Sequence, residues 1–219
     1  MTPALLVLAA YLIGAIPASY IAGRLAKGID LREHGSGNLG ATNAFRVLGA
    51  KVAAPVVVFD ILKGTLPVVA FSQWDGSADW RWELAYGAAA IVGHVFPVYM
   101  RFRGGKGVAT SAGVFLALAP EAVGLGLLTW LIVLKLTRMV SAGSIAAGVV
   151  VGVLLGLNVP AERLEVRILG GLIVAFIIFA HRANVGRIVR GEEHRFGMKK
   201  EPQATVAAAA VTADAKGAE

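Results

Sequence analysis

The chain has 219 residues, of which 57% are hydrophobic and only 16% charged, with a formal net charge of +7 and no cysteine. Its mean hydropathy of +0.69 excludes an ordinary soluble domain. The missing thiol excludes disulfides, cysteine-bound metals and acyl-cysteine intermediates.

The first apolar run extends from Pro3 to Gly23, long enough to cross ~30 Å of hydrocarbon as a helix. Only Met1 and Thr2 precede it. It lacks the basic start of a signal peptide, and it is longer than the usual apolar region of one, so it reads as a retained span. Further apolar runs follow at Val52–Ser72 and Trp82–Met100. Gly107–Ala119 and Ala122–Lys135 flank Pro120-Glu121, and Val140–Val159 and Val166–His181 complete the set. One helix over 107–136 would be ~45 Å long at ~1.5 Å per residue, too long without strong tilt. Splitting it at Pro120-Glu121 predicts an all-α integral membrane protein with seven transmembrane helices. Short spans are tolerable where they line a polar cavity. Pro17, Pro67 and Pro97 are expected to kink their helices. Residues 1–197 read as a single membrane-embedded domain. The Ala-rich tail, 198–219, is low in bulky residues and is expected to be disordered.

Charge orients these spans. With seven of them, sixteen of the 21 Lys and Arg residues fall on one side, and Arg81, Arg163 and Arg167 on the other. The positive-inside rule then predicts an external N-terminus and a cytoplasmic C-terminus. The net positive charge is mostly this topological signal. No aromatic residues interleave the basic ones as base stacking needs, so nucleic acid is not an expected partner.

Between the first two spans, "HGSGNLGATN" contains Gly35-x-Gly37-x-x-Gly40, with Asp60 twenty residues beyond Gly40. That is the letter pattern of a dinucleotide-binding loop, which must follow a strand in a βαβ unit. Here it lies between two membrane spans, with Asp60 inside the second, so the dinucleotide reading fails on context.

Three polar clusters share one predicted membrane face: "GSGNLGATNAFR" (35–46), "GHVFPVYMRFRGGKGVATS" (93–111) and "HRANVGRIVRGEEHRFG" (181–197). Glycine-rich backbone frees N–H groups to converge on an anion, and a following helix N-terminus adds to that field. Gly104-Gly105-Lys106-Gly107 leads directly into a span. It is not a Walker A loop, because Gly107 follows the lysine and Met100 stands where the first glycine is required. Each residue also has a plainer reading. Ser36 and Asn38 are turn formers, and His94 could be a satisfied interfacial histidine. Lys106 and Arg182 could be interfacial anchors, although an anchor needs no flanking glycines. Asp60 and Lys63, three apart inside a span, fit either a structural ion pair or a ligand contact.

The clusters, with "FDILKG" at 59–64, resemble the cytoplasmic motifs of the bacterial acyl-phosphate:glycerol-3-phosphate acyltransferases, the PlsY family. The resemblance runs from about Leu5 to Phe196. It implies a seven-helix enzyme of the bacterial inner membrane with its active site at the cytoplasmic face. The implied reaction moves a fatty acyl group from acyl phosphate to the 1-hydroxyl of glycerol 3-phosphate, giving lysophosphatidic acid and phosphate. The implied catalytic residues are Ser36, His94, Lys106, His181 and Asn184. The implied substrate-binding residues are Gly35, Gly37, Asn38, Thr42, Asn43, Arg46, Gly104, Gly105, Gly107, Arg182, Arg187, Gly191 and Glu193. No cofactor or metal is implied. The partners are the two substrates, membrane lipids and a soluble acyl-phosphate-forming enzyme.

The residues suit this chemistry. Acyl phosphate is an activated donor, so the hydroxyl needs orientation and a proton acceptor rather than a strong acid. His94, His181 or the substrate phosphate could accept that proton. No histidine has an Asp five positions on, as acyl-CoA enzymes with His-x4-Asp require: His34, His94, His181 and His194 are followed there by Leu39, Tyr99, Gly186 and Lys199. An anion transporter is the competing class. Transporters set their site near the midplane between inverted repeats, whereas these clusters crowd one end and no internal repeat is visible.

Overall fold

A proline interrupts the first apolar run. In the computed structural model, which describes residues 1–197, α1 (Pro3–Gly14) opens on a proline, where the missing N–H is harmless, and ends before Pro17. Helix α2 (Ala18–Lys27) resumes the run and stops at Gly28, with φ of 67°, a left-handed value that glycine adopts without penalty. After a short loop come α3 (Ala41–Leu48) and α4 (Ala50–Trp74), which runs unbroken through Pro55 and Pro67. Pro67 therefore causes no break, whereas Pro17 and Pro97 both lie at interruptions. Then follow α5 (Arg81–Val95), α6 (Val108–Leu118), α7 (Pro120–Thr137), α8 (Val140–Asn158), α9 (Leu164–Ala180) and α10 (Arg182–Val189). All regular structure among the described residues is helical. The tail expected to be disordered lies outside them.

All seven predicted segments are helical, but they are unequal. Among the described residues, four helical stretches are long and apolar enough to cross a membrane: Pro3–Lys27, Ala50–Trp74, Pro120–Thr137 and Val140–Asn158. A fifth counts if Ala161–Ala180 and Arg182–Val189, bent by 54° to one another, form one broken span. Helices α5 and α6 have 15 and 11 residues and reach only about 22 and 16 Å at ~1.5 Å per residue. The split expected at Pro120-Glu121 falls one residue earlier, at the non-helical Ala119, with Pro120 starting α7.

Small residues let the helices approach closely. A Cβ on Gly14 would land on the Ala90 backbone, and one on Gly93 would meet Tyr11 and Ala15, which closes the α1–α5 seam. Gly64 faces the Thr110 carbonyl and Gly113 the Ile61 carbonyl, which closes the α4–α6 seam. Such contacts are a membrane solution, because lipid gives apolar side chains no reason to leave it. The outer surface is correspondingly apolar, with Leu5, Leu8, Val58, Leu66, Leu127 and Leu172 all exposed, while Asp60, Lys63 and His94 are buried.

The bundle has two distinct ends. At one, the Met1 ammonium donates to the Trp74 carbonyl, Tyr86 to Asp75, and Arg81 to Glu165. At the other, Leu31, Leu39, Ala44, Leu48, Ala53 and Met100 form a small apolar core. The polar clusters sit on that second end.

Candidate active site

The first loop is shaped by one amide. Asn43 is buried at the start of α3; its Oδ1 accepts from the Ser36 N–H (2.8 Å), and its Nδ2 donates to the carbonyls of His34 (3.0 Å) and Leu31 (3.2 Å). Its carboxamide faces the loop backbone, so Asn43 shapes the loop instead of presenting a free group to a ligand. Gly35 and Gly37 turn the chain with φ of 64° and 70°, and a side chain on Gly35 would strike Asn43 and Val47. Ser36 is exposed on the crest, and Thr42 and Arg46 are exposed on α3. Asn38 reaches across to the Gly104 carbonyl (3.4 Å).

The second loop folds back onto the end of α5. The N–H groups of Gly104 and Gly105 donate to the carbonyls of Val95 and His94, each at 3.1 Å. These bonds recapture carbonyls that a longer helix would have used, so the run predicted to reach Met100 stops at Val95. Gly107, with φ of 78°, turns the chain into α6. Lys106, between them, donates its Nζ to Asn184 Oδ1. Burial, helped by Arg187, Arg182 and Arg46 and opposed by Glu193, lowers the Lys106 ammonium to about 8.

The third cluster supplies the other side. His181 is buried at the bend between α9 and α10, with Nδ1 2.8 Å from the Ile177 carbonyl. A carbonyl only accepts, so Nδ1 carries the proton and Nε2 is left as an acceptor. Asn184 bridges Lys106 to Glu193, donating to Glu193 Oε1 at 2.6 Å. Glu193 also accepts from Ser141 Oγ (2.7 Å) and Arg187 Nε (2.7 Å). Burial pushes the Glu193 carboxyl up, but bonds from Asn184, Ser141 and Arg187 outweigh it and hold the group below its ordinary value.

The structure thus gathers Lys106, Asn184, Arg187 and Glu193 into one hydrogen-bonded chain, with Arg46 and Arg182 in electrostatic range. His181 lies within range of Lys106 and Glu193. Lys106, Arg46 and Arg187 lie around Glu193, with Arg182 in range of Lys106, an excess of positive charge that attracts an anion and repels a metal ion. Gly191 is set apart, in an exposed turn with φ of 72°. Arg182 stacks over the Phe179 ring, 4.3 Å from its centroid. His94 is enclosed. Its Nδ1 lies 3.6 Å from Asp60, and its Nε2 edge sits directly under Gly105. The sequence reading offered it as a catalytic group; the residue is 6% exposed, with Nδ1 toward Asp60 and Nε2 toward Gly105.

Sequence reasoning did not single out Ser141, one of two serines at the start of an apolar run, which holds Glu193. It also did not foresee that Phe196 packs on Phe45 (5.4 Å between centroids) and donates its N–H to the Arg138 carbonyl (2.6 Å). These contacts tie the third cluster to the first, and no short-range pattern in the chain signals them.

The family model described as glycerol-3-phosphate acyltransferase matches residues 4–191. A glycerol-3-phosphate acyltransferase of Synechococcus elongatus is 50% identical over 200 residues, covering 88% of this chain and 93% of the relative. One of Bacillus subtilis is 46% identical over 193 residues, covering 88% of this chain and 97% of the relative. Two crystal structures of PlsY (YgiH), an integral membrane glycerol 3-phosphate acyltransferase, are similar as well. Its glycerol 3-phosphate form is 39% identical, with a TM-score of 0.79 over 89% of this chain and 96% of that one. Its lysophosphatidic acid form is 38% identical, with a TM-score of 0.79 over 89% and 95%. Sequence and architecture agree over nearly all the described residues, and the chain belongs to the glycerol-3-phosphate acyltransferase family of integral membrane proteins that includes PlsY.

Proposed function

We propose that the protein catalyses the first acylation of phospholipid synthesis, moving a fatty acyl group from acyl phosphate to the 1-hydroxyl of glycerol 3-phosphate. The observation that carries this reading is the Lys106–Asn184–Glu193 chain, set among Arg46, Arg182 and Arg187. The names of the relatives and the ligands of the similar PlsY structures support the acceptor and the product. The donor is supported by chemistry. The chain has no cysteine to take an acyl group and no His-x4-Asp unit, so a reactive donor with a good leaving group is needed.

In this reading Lys106, Arg46 and Arg182 hold the phosphates of donor and acceptor, with N–H groups of the loops at Gly35, Gly37, Gly104, Gly105 and Gly107. Asn38 and Thr42 line the cleft. Asn43, Arg187, Gly191 and Glu193 shape it. The acceptor oxygen attacks the acyl carbon, and the oxyanion takes hydrogen bonds from Ser36 and Asn184. Collapse breaks the bond between the acyl carbon and the phosphate oxygen, releasing phosphate and lysophosphatidic acid. The hydroxyl proton passes to His181 Nε2 or to the departing phosphate.

The same reading makes residues 1–197 one domain of seven spans in the bacterial inner membrane, with the site facing the cytoplasm. A soluble acyl-phosphate-forming enzyme delivers the donor at that basic face. Purified protein given radiolabelled glycerol 3-phosphate and each acyl donor in turn tests the proposal. Lysophosphatidic acid is expected from acyl phosphate and little or none from acyl-CoA. Comparable rates with acyl-CoA would defeat it.

A further inference from the structure

We propose that Lys63, Asp60 and His94 form a buried positioning relay that sets the height of Gly105, and through it the reach of Lys106. The three residues are 3%, 2% and 6% exposed, inside the apolar bundle. Charges there are costly, and burying an ion pair rarely repays its desolvation unless other polar contacts complete it. What this group gains is a set of fixed distances between four separate elements. Lys63 Nζ lies 2.7 Å from Asp60 Oδ1 and donates to the Ile16 carbonyl at 3.0 Å, where α1 breaks before α2. Asp60 faces His94 Nδ1 at 3.6 Å. The opposite edge of the His94 ring is the floor beneath Gly105, and a Cβ added to Gly105 would land on Nε2. The backbone closes the same joint, because Gly105 N–H donates to the His94 carbonyl at 3.1 Å.

The relay thus runs from the α1–α2 break through α4 to the end of α5 and stops one residue short of Lys106. His94 acts through Gly105 and does not touch substrate, so it is a positioning residue. A displacement of ~1 Å at a substrate-holding group can cost ~100-fold in rate, so a rigid floor under this loop has a clear use.

The inference rests on the proposed acyl-phosphate reaction, and its test separates the two. Wild-type protein is assayed first; if it makes no lysophosphatidic acid from acyl phosphate, both readings fall. Given an active wild type, kcat, KM for glycerol 3-phosphate and the thermal midpoint in detergent are measured for a mutant cycle. Gly105→Ala should raise KM about tenfold or more with a smaller change in kcat, the signature of lost binding. Combining it with His94→Ala makes room for the new methyl, and about threefold or more of the loss should return, a non-additive result expected only of residues in contact. His94→Phe keeps the ring, so it should not rescue Gly105→Ala. Additive losses in an active enzyme would overturn the relay alone. So would a fall of about 100-fold or more in kcat for His94→Ala with KM unchanged, the mark of a general base. Because Asp60→Asn leaves Lys63 unpaired, the neutral pair Asp60→Asn/Lys63→Met is the safer probe of the far end. It should fold and still show a raised KM. A wild-type KM in that folded variant would reduce the ion pair to helix packing.

Discussion

Lys106 changes its charge with pH within an accessible range. Its ordinary value of 10.5 is lowered to about 8, with burial the main cause. The free protein therefore carries this charge below about pH 8 and loses it above. The unfolded chain holds the extra proton between about 8 and 10.5, so this group makes the folded state relatively more stable as pH rises through that window. Binding runs the other way. A phosphate favours the charged lysine, so affinity should weaken by up to tenfold per unit once pH exceeds about 8. KM for glycerol 3-phosphate should be flat near neutrality and climb above that point; a KM still flat at about pH 9.5 would remove Lys106 from phosphate binding. Lys106→Ala should nearly abolish turnover in folded protein. For His181, a Gln keeps a polar group but no proton acceptor of similar basicity. His181→Gln should lower kcat about 100-fold or more if its Nε2 takes the proton. Retention of a large part of kcat would assign that step to the departing phosphate. Lys106, His181 and Asn184 were legible because polar and glycine residues are conspicuous in an apolar chain. The inward turn of Asn43 and the Ser141–Glu193 bond were not, since 52 residues separate that last pair and their contact exists only after packing.

At the scale of helices, the apolar runs revealed where each element lies but not where each stops. Predicted ends failed where a returning loop or a proline changed the helix's hydrogen-bonding. Val95 ends α5 because the Gly104 and Gly105 amides come back to it, and Pro17 divides a run that composition alone reads as continuous. The close seams were equally hidden, because a glycine in an apolar span does not reveal which carbonyl it will face. The α4–α6 seam matters most for the site, since α6 begins immediately after Lys106 and Gly107. A Leu at Gly113 would drive into the Ile61 carbonyl. Gly113→Leu should cost roughly 1–3 kcal/mol by overpacking, lowering the thermal midpoint and raising KM as α6 shifts the loop. Gly124→Leu on α7 meets open space and should change neither. Equal midpoints for the two variants would show that the seam is looser than its geometry.

For the molecule as a whole, the fold gathers the polar clusters at one end, and the proposed orientation of that end rests on the distribution of charge. The three clusters are joined to one another by Asn38–Gly104, Lys106–Asn184 and Phe45–Phe196, so they must share one membrane face. Met1, Trp74, Arg81 and Glu165 meet at the other end. A seven-span reading of the sequence assigns sixteen of the 21 basic residues to the cluster side, and the positive-inside rule would then direct that side to the cytoplasm. The short α5 and α6 fit that topology if the polar cluster end is wet, since a half-length helix is tolerated beside a water-filled cleft. Because the chain has no cysteine, single thiols can report on this directly. Thr42→Cys, Arg103→Cys and Arg190→Cys lie on exposed positions of the cluster end, and Asp79→Cys lies on the opposite end. An impermeant thiol reagent should label only the Asp79 variant in intact cells and only the other three in inverted membrane vesicles. Labelling of Thr42, Arg103 or Arg190 variants from outside would reverse or break the seven-span arrangement, and with it the delivery of acyl phosphate from the cytoplasm.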